Sequence, residues 1–306
     1  MARFVCVTCG TQYPEAERAP AACPICEDER QFVGWEGQRW TTLEAMRADG
    51  HRNVLAEEEP GLTSFLTVPR FAIGQRALLV RTPGGNLLWD CITYLDRPTV
   101  DALRALGGIA AIAISHPHYY SAMVEWSDAF GGAPVYLHAA DRRWVMHPSP
   151  RIVFWTGEVA CPLPGVELIN LGGHFDGGTV LHWPAGAEGR GVLLSGDIIQ
   201  VVQDRRSVSF MYSYPNLIPL GGEDVARIAA AIRRYRFDRI YGAFDGRQIP
   251  AGAGEVVERC ARRYIERLTT PPRGAAGGRS APAAPGEGLP PAVAGSYRAE
   301  ESGKII

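Results

Sequence analysis

Residues 111–120 read Ala-Ile-Ala-Ile-Ser-His-Pro-His-Tyr-Tyr, a short apolar run that ends in two histidines separated by one residue. The apolar part predicts a buried strand whose carboxyl end enters a site. On an extended backbone, side chains two positions apart point to the same side. We therefore expect His116 and His118 to converge on one metal ion.

Two downstream segments carry residue types that would complete such a site. His174 lies in the glycine-flanked turn 172–178, where glycines let the backbone approach closely. Asp197 follows a further apolar run, 191–195. Three neutral imidazoles and a carboxylate suit Zn²⁺, Fe²⁺ or Mn²⁺, and an open coordination position would hold a water of lowered pKa.

The order of these groups, with Asp90 at the end of an earlier apolar run, resembles the metallo-β-lactamase superfamily over about residues 62–268. The resemblance implies an α+β protein, an αββα sandwich with the site at one edge. A metal-activated water would attack a carbonyl or phosphoryl centre there. It also implies that His116, His118 and His174 hold the metal, that Asp197 touches it, and that Asp90 supports these ligands from outside.

The chain departs from the superfamily pattern where a second metal would bind. That pattern continues His-x-His-x-Asp-His, but Tyr120 and Ser121 stand at the last two positions, and no histidine follows His182. The sequence therefore predicts a mononuclear site. The missing aspartate normally orients the attacking water, and Asp197, Tyr119 or Tyr120 would have to replace it. A phenol with an ordinary pKa of about 10 is a poor base near pH 7 unless the metal lowers it.

The first 26 residues contain two Cys-x-x-Cys pairs, which are separated by 13 residues. Such doubled spacing predicts one tetrahedral metal site, and the metal would supply much of the folding free energy of so short a segment. The motif resembles both zinc ribbons and the rubredoxin-like module of rubrerythrins, which would carry iron. Because no flavin or di-iron motif is present to receive electrons, we expect structural zinc. The predicted ligands are Cys6, Cys9, Cys23 and Cys26.

Composition and spacing predict a four-part organisation and exclude some partners. The net charge of −2 gives no sign of nucleic-acid binding, and no apolar run reaches the ~20 residues that cross a bilayer. We expect a cytoplasmic protein with a small-molecule substrate; its oligomeric state is not indicated. The expected parts are a four-cysteine module (1–40), a connector (41–61), a metallo-β-lactamase-like domain (62–271) and a disordered Gly/Pro/Ala-rich tail (272–306).

Three functions are compatible with these patterns: a mononuclear metallohydrolase, a redox protein with iron at the cysteines, and a metal-binding protein without turnover. Colour separates the second from the others. A colourless, zinc-loaded protein as isolated is expected, because zinc has no visible absorption. A red protein with visible absorption bands would contradict the zinc assignment and favour the redox function.

Overall fold

An N-terminal sheet of antiparallel strands carries the cysteine pairs. In the computed structural model, which describes residues 1–270, its strands lie in the order β2-β1-β3, with β1 at Ala2–Cys6, β2 at Gln12–Ala16 and β3 at Trp40–Thr41. Helix α1 (Pro24–Glu27) contains Cys26, and helix α2 (Leu43–Ala48) follows the sheet. The Thr42 side chain caps helix α2 by accepting from the Ala45 backbone N–H at 3.2 Å.

A seven-stranded sheet comes next in the chain. Its strands are β4 (Arg52–Glu59), β5 (Leu62–Val68), β6 (Ala77–Thr82), β7 (Gly85–Trp89), β8 (Ala111–Ala113), β9 (Val135–His138) and β10 (Ile152–Trp155). They lie in the order β10-β9-β8-β7-β6-β5-β4. Strands β4 to β7 pair antiparallel, and β7 to β10 pair parallel. Because β7 and β8 are parallel and in register, Asp90 and the His116 turn follow them at the same edge of the sheet.

A six-stranded sheet supplies the other half of the site. The remaining strands of the chain are β11 (Val159–Ala160), β12 (Glu167–Asn170), β13 (Thr179–Trp183), β14 (Val192–Gly196), β15 (Gln200–Val201), β16 (Val208–Ser209), β17 (Met211–Ser213), β18 (Ile218–Pro219), β19 (Arg239–Gly242) and β20 (Gln248–Ile249). The sheet order is β11-β12-β13-β14-β19-β20, while β15 pairs with β16 and β17 with β18. His174 lies between β12 and β13, and Asp197 directly follows β14.

Helices cover the outer faces of both sheets. They are α3 (Arg97–Ala105), α4 (Met123–Ala129), α6 (Gly222–Ile232) and α7 (Ala253–Thr269). The short α5 (Gly186–Gly189) is not one of them, since its Ala187 belongs to the cluster between the sheets. Leu78 and Leu181 belong to the buried cluster between the sheets, whereas Leu79 faces α3 and α4 and Val180 faces α6 and α7. This alternation builds the expected αββα sandwich. Within the described residues, no helix combines the length and the hydropathy needed to span a bilayer.

The structure corrects the predicted connector at residues 41–61. Residues 52–59, within that connector, form strand β4 of the seven-stranded sheet. Glu59 is buried at the end of that strand and contacts the second sheet. Its carboxylate accepts hydrogen bonds from Arg239, from the Tyr241 hydroxyl at 3.1 Å and from the Ala187 backbone N–H at 2.9 Å.

The four-cysteine segment is packed against the sandwich. Its cysteines belong to the same buried cluster as the outer face of the seven-stranded sheet, and residues 1–269 form one compact unit. Helix α2 adds Met46 to a second small cluster with Val5 and Tyr94. The boundaries of the module at 1–40 and of the domain at 62–271 remain predictions, and the predicted tail lies outside the described residues.

Replacing Glu59 by Ala is expected to lower the free energy of unfolding by about 2 kcal/mol, because the buried Tyr241 hydroxyl and Ala187 N–H lose their acceptor and the partly exposed Arg239 loses one of its partners. Urea unfolding measures this change. Glu57→Ala on the same strand is the matched control: its carboxylate is 3.8 Å from Arg81 and both groups are exposed, so a loss below about 0.5 kcal/mol is expected. Equal losses in the two variants would contradict a structural role for β4.

Candidate metal centres

The four predicted cysteine ligands meet at one buried point. Their sulfur atoms all lie within 4.8 Å of one another. The Cys6 and Cys26 sulfurs are 3.5 Å apart, and those of Cys9 and Cys23 are 3.7 Å apart. Two sulfurs on a tetrahedral zinc at about 2.3 Å would be separated by about 3.8 Å. The cysteines therefore fit a single tetrahedral metal ion.

The surroundings of the sulfurs favour the thiolate of Cys6 and of Cys23, whereas hydrogen bonds among the same cysteines raise the pKa of Cys9 and of Cys26 above the usual value. Hydrogen bonds from the thiols of Cys23, then of Cys26 and Cys9, hold the pKa of Cys6 far below its usual value. The Gln38 side-chain amide also donates to the Cys6 sulfur at 3.2 Å. Because the thiolate is the ligand form of cysteine, this arrangement is suited to binding a cation.

The second centre begins where β8 ends at Ala113, three residues before His116. We expected His116 and His118 on one continuous extended segment. That expectation is wrong in detail, because Pro117 starts a 3₁₀ turn, Pro117–Tyr119, and only His116 itself is extended. The two imidazoles still converge, with ring centroids 5.1 Å apart. The His174 turn brings its ring to 4.9 Å from His116 and 5.1 Å from His118.

The ring nitrogens of these three histidines fit a metal ion. All three rings offer a nitrogen within 4.8 Å of the other two. His174 Nδ1 donates to the Tyr212 carbonyl at 2.7 Å, so its Nε2 carries a lone pair, and this atom is 3.2 Å from His118 Nδ1. Two nitrogens on a tetrahedral zinc at about 2.0–2.1 Å would be about 3.3 Å apart. His116 Nε2 is buried without a hydrogen-bond partner among the described residues.

The electrostatics keep the imidazoles in the ligand form. Burial, with smaller contributions from the neighbouring histidines, holds the pKa of His116 and of His118 well below the usual value. Burial also lowers the pKa of His174 to about 4. A histidine must be neutral to bind a metal, so these shifts leave the cluster available for a cation at neutral pH.

Asp90 contacts Ser115 in the layer behind His116. Its Oδ1 accepts from the Ser115 backbone N–H at 2.8 Å, and the Ser115 hydroxyl lies 2.9 Å from His116 Nδ1. Burial raises the pKa of Asp90 to about 7. Gly196 packs against this pair: a Cβ there would lie 2.6 Å from the Ser115 hydroxyl oxygen. The last residue of β14 therefore has to be small.

Asp197 lies beside the histidines without being part of their group. Its Oδ2 is 3.9 Å from His116 Nε2, and its Oδ1 is buried without a partner among the described residues. The Tyr119 hydroxyl donates to Oδ2 at 2.5 Å, and burial raises the pKa of Asp197 to about 7. Burial and the neighbouring Asp197 charge raise the pKa of Tyr119 well above 10. Tyr119 is therefore a hydrogen-bond donor to Asp197 in this arrangement.

Tyr120 and Ser121 occupy the positions where the superfamily pattern has Asp and His. The Tyr120 ring is buried in the cluster under α4, and its hydroxyl makes no hydrogen bond to Asp197 or to a ring nitrogen of the described site. Consecutive residues of a 3₁₀ turn point about 120° apart, so Tyr119 faces the site and Tyr120 does not. The Ser121 hydroxyl bonds to the Gln75 side chain at 3.0 Å and to the Cys91 carbonyl at 3.2 Å.

Several residues around the histidines were not found from the sequence. Phe175 packs its ring against all three imidazoles, and Tyr212 holds His174 through its carbonyl. Arg30, from the cysteine module, lies over the Phe175 ring. Phe175 adjoins a predicted ligand and so carried a weak signal, whereas nothing in the local sequence distinguishes Arg30 from the many other arginines of the chain.

Comparison with known proteins gives one close sequence relative and a consistent fold. The chain is 53% identical over 271 residues to the uncharacterized protein YmaE of Bacillus subtilis (strain 168), covering 88% of this chain and 98% of YmaE. The structure is similar to the DIM-1 metallo-β-lactamase, with a TM-score of 0.55 at 15% identity over 71% of this chain and 99% of that one. It is also similar to VMB-1, with a TM-score of 0.54 at 12% identity over 71% and 99% of the two chains. No protein-family model matches the sequence.

His118→Ala is expected to remove one of two bound metal ions and to leave the ion at the cysteines, because the variant loses a ligand of the histidine group only. Metal analysis of the purified proteins measures the stoichiometry. His138→Ala, at a histidine outside the group, should keep both ions. A wild-type protein with well under one metal ion beyond that of the cysteines would contradict the histidine centre.

Proposed function

The chain belongs to the same family as Bacillus subtilis YmaE and has the metallo-β-lactamase fold, and on this premise we propose that it is a metal-dependent hydrolase with a mononuclear centre. The proposed ligands are His116, His118, His174 and the carboxylate of Asp197. The observation that carries the proposal is the set of nitrogens that face one another at 3.2–4.8 Å, among them a His116 Nε2 that has no other described partner. Leaving such an atom buried and unpaired costs about 1–3 kcal/mol, which a bound cation would offset.

The chemistry that a divalent ion supplies at three imidazoles is Lewis acidity and a water acidic enough to lose a proton near pH 7. The protein side of the reaction would be carried out by Asp197. Its Oδ2 is held by Tyr119, and its Oδ1 is left free to accept the proton of the attacking water. Without a metal, burial raises the pKa of Asp197 to about 7; a neighbouring cation would lower it, so the carboxylate would be ionised and able to accept a proton at neutral pH.

Zinc is the proposed ion at the cysteines, and Zn²⁺, Fe²⁺ or Mn²⁺ at the histidines. Imidazole nitrogens suit zinc and iron, and a carboxylate neighbour also suits manganese. The ligand sets are supported by the sulfur and nitrogen separations, which fit tetrahedral coordination. A small-molecule substrate and a cytoplasmic location belong to the same proposal.

A second candidate, a metal-binding protein without turnover, is favoured by the burial of the site. His116, His118, His174 and Asp197 are exposed by only 1%, 3%, 2% and 5%. A cavity of about 540 Å³ adjoins the His174 turn through Gly173 and Tyr212, but the histidines themselves do not line it. In the hydrolase, a surface loop would have to move before a substrate reaches the centre.

Tyr119→Phe tests the hydrolase. Removing the hydroxyl frees Asp197 from its hydrogen bond, and a fall in kcat of about 10–100-fold is expected at unchanged metal content. The assay uses the best substrate from a panel of esters, lactones, thioesters, β-lactams and phosphodiesters.

Tyr120→Phe is the matched variant, with the same chemical change one residue along in a buried tyrosine that does not bond to Asp197. Its kcat is expected to fall less than about threefold. Equal losses in the two variants would contradict the role of Tyr119. If the metal-loaded wild-type protein hydrolyses nothing in the panel, the metal-binding function without turnover takes the place of the hydrolase.

A further inference from the structure

We propose that Arg30, which the four-cysteine module supplies, is a positioning residue of the histidine centre: it fixes the His174 turn and closes the centre from outside. The inference rests on the metal centre proposed above but does not depend on hydrolysis. It makes the cysteine site part of the same functional unit as the histidines.

The Arg30 guanidinium forms the layer directly outside the three imidazoles. The side chain is buried, and its Cζ lies 4.0 Å from the centroid of the Phe175 ring. That ring in turn contacts the histidine rings at centroid distances of 5.6 Å for His116, 4.9 Å for His118 and 5.1 Å for His174. A planar cation that stacks on an aromatic face restrains that ring. By restraining Phe175, Arg30 also restrains the three histidine rings that pack against Phe175.

The orientation of the guanidinium is set within the module. Arg30 Nε and one terminal nitrogen donate to the two oxygens of Asp28 at 2.6 and 2.8 Å, a bidentate pair. The other terminal nitrogen points to the His174 carbonyl at 3.4 Å. Asp28 follows the ligand Cys26 by only two residues, so the position of Arg30 depends on the geometry of the cysteine site.

Glu29, the residue before Arg30, contacts the other side of the His174 site through Tyr212. Tyr212, whose carbonyl accepts from His174 Nδ1, donates its hydroxyl to the Glu29 carboxylate at 2.8 Å. The Asn216 side chain donates to the Glu29 carbonyl at 2.7 Å. Residues 28–30 of the module therefore restrain both the backbone and the ring of His174. An ion pair that served only to stabilise the module would need no contact with this turn.

Loss of this restraint should loosen the histidine centre and leave the cysteine centre intact. The readout is the rate at which each metal ion leaves the protein in excess chelator, measured as two kinetic phases of metal release. His118→Ala lacks the histidine-site ion, so the phase that remains in this variant belongs to the cysteines. A second readout, independent of metal, is amide hydrogen exchange in residues 171–178.

For Arg30→Gln we expect the histidine-site ion to dissociate at least tenfold faster, with unchanged release from the cysteines and faster exchange in 171–178. Arg30→Lys keeps the charge but loses the fork and the stacking plane, so an intermediate rate is expected. The control is Arg3→Gln, which breaks the 2.5 Å contact between Arg3 of the module and Glu125 without touching a histidine. Its two release rates should equal those of the wild type.

Unchanged histidine-site release and unchanged exchange in Arg30→Gln would overturn the proposal. So would equal acceleration in Arg30→Gln and Arg3→Gln, since this would indicate general loosening of the module. If Arg30→Gln does not fold, Asp28→Asn takes its place, because this variant keeps Arg30 but weakens the bidentate hydrogen bonds that orient it. Asp28→Asn must then also release the histidine-site ion faster without changing release from the cysteines. A wild-type protein without a histidine-site phase would instead overturn the metal centre, and the exchange comparison would still decide the role of Arg30.

Discussion

Three uncharged imidazoles directed at one buried point are the constraint around which this protein is built. The rings arrive on two turns, residues 116–118 and 172–178, and the His116 Nε2 atom would stay unpaired in a dry environment if no cation joined the cluster. The fold therefore has to hold the rings in place from behind. It does so through Ser115 and Asp90 for His116 and through the Tyr212 carbonyl for His174. Such outer contacts set the orientation of a ligand ring and the nitrogen it presents.

Ser121, which stands where the superfamily pattern has a second-metal histidine, has a structural role in this chain. The Ser121 hydroxyl is engaged by Gln75 and by the Cys91 carbonyl, and its own carbonyl accepts from the Gln12 backbone N–H at 3.0 Å. Ser121 also adopts a φ of 45°, a conformation that is uncommon outside glycine. The position expected to bind a second metal is thus a point where the N-terminal segment joins the sandwich.

That junction changes how the four-cysteine segment is understood. From its spacing it resembles an appended module with its own metal. In the structure its cysteines share a buried cluster with the outer face of the seven-stranded sheet, and its residues contact two loops beside the histidines. A segment of this size buries too little apolar surface to be stable alone, so a metal ion and a large neighbour both contribute to its folding.

Much of this organisation is encoded locally and is therefore visible in the chain. The spacing of Cys6, Cys9, Cys23 and Cys26 depends on tight turns, and the alternation of apolar residues depends on the strand period, so both the cysteine site and the sandwich follow from short segments. The grouping of His116, His118 and His174 was likewise indicated by their turns.

Three features were not encoded in this way. Glu59 of strand β4 is buried against Arg239 of the second sheet, the Tyr119 hydroxyl reaches Asp197 from 78 residues away, and Arg30 lies outside a turn 144 residues later. Contacts between such distant residues leave no local pattern, because folding alone brings them together.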